Sequence, residues 1–202
     1  MTASAKTRYH ESGHALAAHR LGMLHEIGVV LNSDLDAYVC VVEEDDGTRC
    51  WAAKRIAIKL AGPIGRILQQ GEPLHWDTLR LTPEYARDFE EAKEMALRAV
   101  GLNPPAGQDD EADILMNEAC NLTSQDVSSG LDILANLTEA MAHVNHFTAV
   151  QIAAVIEAES SPPRYEEPAE LFGGALVRRA IASWKGFAKR LSFMPAELIE
   201  ID

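Results

Sequence analysis

The sequence predicts a mostly α (α+β) fold, a helical bundle with a small β-sheet near the N-terminus. Apolar residues recur every three or four positions over most of the chain, which is the periodicity of amphipathic helices. Two short runs rich in β-branched residues interrupt this pattern between residues 27 and 43. The chain has 202 residues, 47% of them hydrophobic, which is enough for one domain with a core and an appendage.

The first elements are a helix followed by a hairpin. The helix is predicted to begin after Ser4, whose side chain can cap it, and to end near Leu21, before Gly22. Two β-rich runs, Ile27–Leu31 and Ala37–Glu43, flank the segment NSDLD, whose residues favour turns. These runs predict two antiparallel strands, closed by the acidic loop EEDDG.

The rest of the chain is predicted to be helical, with polar or Pro-rich loops between the helices. The segment GEPLHWDTLRLTPEY is expected to be one of these loops, and SSPPRYEEP is expected to link a domain of residues 1–158 to a helical extension of residues 159–202. The predicted helices are Trp51–Gln70 with a kink at Gly62-Pro63, TPEYARDFEEAKEMALRAVGL capped by Thr82, Ile114–Val144 broken near residues 123–125, and a helix that begins near Thr148.

Composition excludes several classes of partner and favours the cytoplasm. The net charge of −13 argues against nucleic acid, which is bound through clustered Lys and Arg. No run approaches the 18 apolar residues expected of a membrane span, and the first residues lack the apolar segment of a secretory signal. The three cysteines form no CxxC pair, which favours a reducing compartment.

The segment HESGH carries the strongest chemical signal. His10 and His14 are four residues apart in a predicted helix, so both rings lie on one face and can reach one Zn²⁺ ion. Glu11 lies about 100° around the helix from His10. At this position its carboxylate does not coordinate the metal but can reach a water bound beside it. Zinc activates such a water for hydrolysis and a glutamate takes its proton. Two packing or surface histidines on an amphipathic helix are the alternative interpretation.

A catalytic zinc usually has a third protein ligand, and this sequence places it far from HESGH. The HExxHxxGxxH spacing is not met, because residues 17, 20 and 22 do not fit it. The third ligand is therefore expected to be a distant Asp, Glu or His. Four other histidines, His19, His25, His143 and His146, are expected to serve in surface or core packing, the last two on one helix.

Several segments together resemble the peptidase domain of the FtsH-type ATP-dependent zinc proteases. YHESGHALAAH resembles the family's HEAGHA segment, and IKLAGPIGRILQQG resembles its LGGRAAEELVFG helix. ARDFEEAKEMA resembles its ENDLERATEIAR helix, whose aspartate completes the zinc site, and HVNHFTAVQIAAVI resembles its late LLEKETLTGEEI segment. The resemblance covers residues 7 to 157. It implies that residues 1–158 are an FtsH-like zinc peptidase domain and that Asp88 is the third zinc ligand.

Other acidic residues and one histidine compete with Asp88 for that role. Glu84 and Glu91 lie four residues before and three residues after Asp88, so all three share one helix face. Asp77 and His75 precede this helix.

The departures from the family shape the predicted function. No GxxxxGK[ST] motif occurs, so the chain has no P-loop for nucleotide. We therefore expect a stand-alone zinc metalloendopeptidase acting on unfolded polypeptides or peptides, which add as a strand along the sheet edge. The sequence is compatible both with a homo-oligomer and with a separate unfoldase that delivers substrates. The alternatives are a non-catalytic interaction protein that retains a peptidase-like fold, and a zinc hydrolase with a non-peptide substrate.

Overall fold

The fold is mostly helical, with one small antiparallel sheet, which confirms the predicted α+β class. The computed structural model describes residues 3–42, 49–100 and 109–160, so the predicted acidic loop and almost all of the C-terminal extension lie outside the described residues. None of the described helices is long and apolar enough to cross a bilayer. The elements are α1 Ala5–Arg20, β1 Leu24–Leu31, β2 Ala37–Val41, α2 Arg49–Gln69, α3 Trp76–Leu81, α4 Pro83–Val100, α5 Asp109–Ser128, α6 Leu131–Ala140, β3 His146–Phe147 and α7 Ala149–Ser160.

Helix α1 is the central element of the fold. It begins as predicted, because Ser4 has an extended backbone and its Oγ accepts a hydrogen bond from the Thr7 amide at 3.2 Å. Every residue from Glu11 to Ala18 is buried, so the middle of the helix lies inside the protein. It packs most extensively on α2 and also contacts α5, α6, α7 and the sheet.

The sheet contains the predicted hairpin and one further strand. Strands β1 and β2 pair antiparallel, with Leu31 opposite Ala37, and the Asn32 amide donates to the Asp36 carbonyl at 3.0 Å across the turn. The short strand β3 pairs with the other side of β1, which gives the order β2-β1-β3. In the described part of the sheet, β2 is therefore an edge strand.

Three predictions about secondary structure are wrong. The segment predicted as a polar loop contains α3, because Leu79 is fully buried and the Trp76 ring packs edge-on against Phe89 of α4, with 5.2 Å between centroids. His146 is not helical: it lies in β3, where its Nε2 donates to the Ile27 carbonyl at 2.5 Å. His143 lies in the turn that follows α6.

The long C-terminal helix breaks at a different place from the one predicted. Thr123 is buried inside the continuous helix α5, and the break falls between Ser128 and Leu131. Gly130 lies at this break and faces α1 so closely that an added Cβ would come within 2.9 Å of the Leu16 side chain. A larger residue at position 130 would therefore require the Leu16 side chain of α1 to move.

The closest approach of α1 and α2 requires a glycine at position 13. A Cβ on Gly13 would overlap the backbone carbonyl of Ala61 and lie 2.9 Å from the Gly62 Cα. We expect Gly13→Ala to lower the free energy of unfolding by about 1–3 kcal/mol, because backbone on both sides must move apart. Urea unfolding followed by circular dichroism measures this. Gly65→Ala is the matched control, since the nearest atom to its Cβ would be the flexible end of Leu134 at 3.3 Å and the next are at an ordinary contact distance of 3.8 Å. Equal stability of the two variants would contradict the prediction.

Candidate metal centre

The structure brings His10, His14 and Asp88 together at one point. The two histidines lie one turn apart on α1, and Asp88 comes from α4. The Nε2 atoms of His10 and His14 are 3.0 Å apart, and the Asp88 Oδ2 lies 3.0 Å from the first and 3.5 Å from the second. All three side chains are largely buried. One nitrogen or oxygen atom from each residue therefore points to a common centre.

These separations suit a tetrahedral zinc ion. Ligand atoms about 2.0–2.2 Å from such an ion lie about 3.3–3.6 Å from one another. The three observed separations, 3.0, 3.0 and 3.5 Å, lie close to that range. Two imidazoles and one carboxylate also form a donor set typical of a catalytic zinc site, which takes three protein ligands. The residues present therefore fit the ion that the sequence predicts.

The orientation of His14 is set by the backbone of α2. Its Nδ1 donates a hydrogen bond to the Ile58 carbonyl at 2.6 Å, so in the neutral imidazole the Nε2 carries the lone pair that faces the centre. Metal-binding histidines usually donate their other ring N–H to a carbonyl or carboxylate in this way. The ring can approach α2 because residue 62 is glycine. A Cβ at this position would overlap the ring atoms of His14.

Helix α4 helps to position His10 as well as supplying Asp88. The Tyr85 ring lies parallel to the His10 imidazole, with 6.4 Å between centroids and 6° between planes. Tyr85 precedes Asp88 by three residues, so both side chains lie on the α4 face toward α1. The His10 and His14 rings meet edge to face at 4.6 Å. Helix α4 thus presents an aromatic ring to His10, and the two histidine rings contact each other.

Electrostatics favour a charged carboxylate at Asp88. Burial by itself would raise the pKa of Asp88, but the neighbouring His14 and the hydrogen bonds from His10 and His14 hold it well below its usual range. For His14, burial alone would lower the pKa, yet the charge of Asp88 and its hydrogen bond raise it above the ordinary value. Lys59 adds a positive charge, with its Nζ 3.8 Å from the Asp88 Oδ1.

Glu11 lies beside this cluster and is a more basic carboxylate than an exposed glutamate. It is only 6% exposed. Burial raises its pKa, and the nearby His14 and His10 only partly offset this effect. Among the described residues, none forms a hydrogen bond with its carboxylate. A carboxylate of this kind is suited to accept a proton.

The competing ligands lie outside the cluster. Glu84 is exposed and forms an ion pair with Lys6, and Glu91 pairs with Lys59 and Arg87. Asp77 is exposed and lies 3.5 Å from Arg80, and His75 caps the start of α3. The other histidines of the described chain are not part of the cluster either; they are His19, His25, His143 and His146.

The cluster opens into one cavity of about 590 Å³. This volume lies within the range of small-molecule and peptide-side-chain pockets. The outer strand β2 forms one wall, and α2 and α4 form others. His10, Glu11, His14 and Asp88 line it together with Ala37, Tyr38, Val39 and Val41 of β2.

Four contributors to this site were not singled out by sequence reasoning. The Ile58 carbonyl is a backbone atom, for which no side-chain pattern exists. Gly62 was interpreted only as part of a kink, although Pro63 lies inside a continuous α2. Tyr85 has the spacing of an ordinary core residue of α4. Arg66 had a detectable signal, because it is the one charged residue in the run LAGPIGRILQQG between Lys59 and Glu72.

Comparisons with known proteins add no family assignment. The chain matches no protein-family model, and no curated protein matches it either. The resemblance to FtsH-type peptidases therefore rests on the segments quoted above, and the function is argued from the geometry of the site.

Proposed function

We propose that the chain is a cytoplasmic zinc-dependent metalloendopeptidase that hydrolyses unfolded polypeptides or peptides without an ATPase of its own. One observation carries the proposal: the His14 Nδ1–H bond to the Ile58 carbonyl, which turns Nε2 toward His10, Asp88 and the cavity. This is the arrangement expected of a metal-binding histidine.

The residues that would hold zinc are His10, His14 and Asp88. Zinc in such a site supplies Lewis acidity, which lowers the pKa of water and polarises a carbonyl. The cavity leaves access to the cluster from the side lined by β2. A structural zinc site is instead closed by four protein ligands. Among the described residues the cluster contains three, which supports a catalytic role over a structural one.

Glu11 is the proton carrier in this proposal. Its buried carboxylate lines the same cavity as the three ligands. It accepts a proton from the attacking water and then gives that proton to the leaving amine of the cleaved peptide. Burial raises the pKa of Glu11, which favours the first of these two transfers because the carboxylate accepts a proton more readily than an exposed glutamate does.

Strand β2 is suited to bind the substrate backbone. It is the edge of the described sheet and forms a wall of the cavity. An extended peptide can add to such an edge through main-chain hydrogen bonds, which tolerate many side chains. Tyr38 on β2 is 48% exposed and Leu35 in the preceding turn is fully exposed. These apolar side chains at the cavity offer contacts to an unfolded chain.

Metal removal tests the proposal. The purified full chain is expected to contain about one zinc ion and to digest casein, which has little stable structure. Incubation with 1,10-phenanthroline followed by desalting should abolish digestion, and added Zn²⁺, but not Mg²⁺, should restore it. Undiminished digestion by zinc-free protein would exclude a metallopeptidase. A chain that takes up no zinc and digests nothing would favour the interaction-protein alternative.

A further inference from the structure

Arg66 is a buried cation in the wall of the same cavity. It lies on α2, is 4% exposed, and lines the cavity together with His10 and Asp88. Its Nε has no hydrogen-bond partner, and none of the described residues forms an ion pair with it. A buried Nε–H without a hydrogen bond is unfavourable for folding, because its lost hydration is not replaced. The hydrogen-bonding capacity that the described residues leave unused on Arg66 is therefore available to a ligand in the cavity.

Most other cations that line the cavity have acidic partners, and Glu84, an acid whose pKa Arg66 lowers, forms its ion pair with Lys6. Lys6 pairs with Glu84, and Lys59 pairs with Glu91. Arg87 also pairs with Glu91, with 2.9 Å between Nε and Oε1, while the guanidinium of Arg55 lies over the Trp51 ring.

The charge of Arg66 helps to lower the pKa of Glu84, but its effect is smaller than that of the hydrogen bond from Lys6. Glu84 therefore does not neutralise Arg66 by direct contact.

We propose that Arg66 binds a carboxylate of the substrate inside this cavity, so that the site prefers peptides with a negative charge near the bond to be cleaved. This inference rests on the proposed peptidase function. A guanidinium presents a planar fork of donors that matches a carboxylate with two parallel hydrogen bonds. The carboxylate is either the free C-terminus of the peptide or the side chain of an Asp or Glu.

The overall charge of the chain makes this preference specific to the cavity. At −13, the field of the whole molecule repels acidic peptides in general. Tighter binding of a negatively charged peptide therefore requires a local cation that outweighs this repulsion. Arg66 is placed to do so because burial keeps it away from screening by solvent and salt.

Binding of four matched peptides tests the inference without relying on cleavage. Each is a fluorescein-labelled alanine hexapeptide: one with a free C-terminus, one with an amidated C-terminus, and two amidated forms with a central Glu or Gln. Fluorescence anisotropy is measured with the full chain carrying Glu11→Gln, which prevents turnover, with zinc and after metal removal. Arg66→Met is the test variant, and Arg66→Lys retains the charge.

We expect at least one carboxylate peptide to bind about tenfold or more tightly than its neutral match, as charge-assisted hydrogen bonds allow. The comparison of the free with the amidated C-terminus, and of the central Glu with the central Gln, identifies which carboxylate is bound. Arg66→Met should abolish the difference, and Arg66→Lys should keep part of it. Equal affinity for charged and neutral peptides, or a preference that survives Arg66→Met, would overturn the inference.

Two further readouts separate this inference from the peptidase proposal and from misfolding. The carboxylate preference is measured in zinc-free protein as well, so it can succeed even if casein digestion fails. The thermal midpoint of Arg66→Met is expected to equal or exceed that of the parent, because methionine replaces an unpaired buried charge. If that variant fails to fold, Arg66→Gln takes its place in the same comparison.

Discussion

Glu11→Gln is expected to reduce casein digestion by on the order of 10³-fold while leaving zinc content unchanged. The amide keeps the shape of the side chain but cannot accept a proton from water, and general acid–base catalysis contributes about 10²–10⁴-fold to such reactions. Zinc should stay bound, because the three candidate ligands are other residues. The rate of casein digestion and the zinc content per chain, measured on one preparation, check both parts.

Glu90→Gln is the matched control for Glu11→Gln. Glu90 lies on α4, is exposed, and does not line the cavity, so the same change of charge should leave digestion unaltered. Loss of activity in both variants would mean that net charge matters and not the position of Glu11. Residual activity of Glu11→Gln above about a tenth of wild type would remove Glu11 as the general base.

Asp88→Asn is expected to weaken zinc binding by at least about 100-fold, and digestion should be lost with the metal. The side chain keeps its size, but the amide oxygen is a much weaker ligand than the carboxylate that His10 and His14 hold in its charged form. Mutation of a group that only orients a zinc ligand lowers the zinc affinity about 10- to 100-fold. Loss of a ligand itself should therefore lower the affinity by more than that. Competition with a chromophoric zinc chelator measures the affinity.

Glu91→Gln provides the comparison that distinguishes the two neighbouring acids. Glu91 lies on the same helix three residues later, but its carboxylate pairs with Lys59 and Arg87 outside the cluster. Its neutral variant should therefore retain wild-type zinc affinity. If Glu91→Gln loses zinc and Asp88→Asn keeps it, the ligand set is wrong. A zinc-dependent rise of the melting temperature in wild type and Glu91→Gln, but not in Asp88→Asn, is an independent readout.

The elements that sequence patterns predicted well depend on interactions within one or two helical turns. Ser4 caps α1 through an amide three residues away, and Pro83 begins α4, as their residue types favour. The spacing of His10 and His14 alone places both rings on one face. Local geometry of this kind is encoded in neighbouring residues, so it can be inferred before any tertiary contact is known.

The choice among acids on one helix face depended on tertiary structure. Glu84, Asp88 and Glu91 cannot be separated by periodicity, because all three lie on the same side of α4. Packing against α1 and α2 directs Asp88 to the histidines, whereas Lys6 and Lys59 attract the other two. The resemblance to the FtsH-type family had indicated Asp88, and the spatial arrangement agrees with that choice.

The sequence by itself determined the helical class, the hairpin and the face that carries HESGH, because each depends on short-range periodicity and capping. Only the tertiary structure decided that the Ile58 carbonyl orients His14, that Gly130 marks the break before α6, and that the described residues leave the buried Arg66 Nε without a hydrogen bond. These features arise where residues far apart in the chain come into contact. A backbone carbonyl, a close helix approach and an unpaired charge leave no pattern in a single sequence.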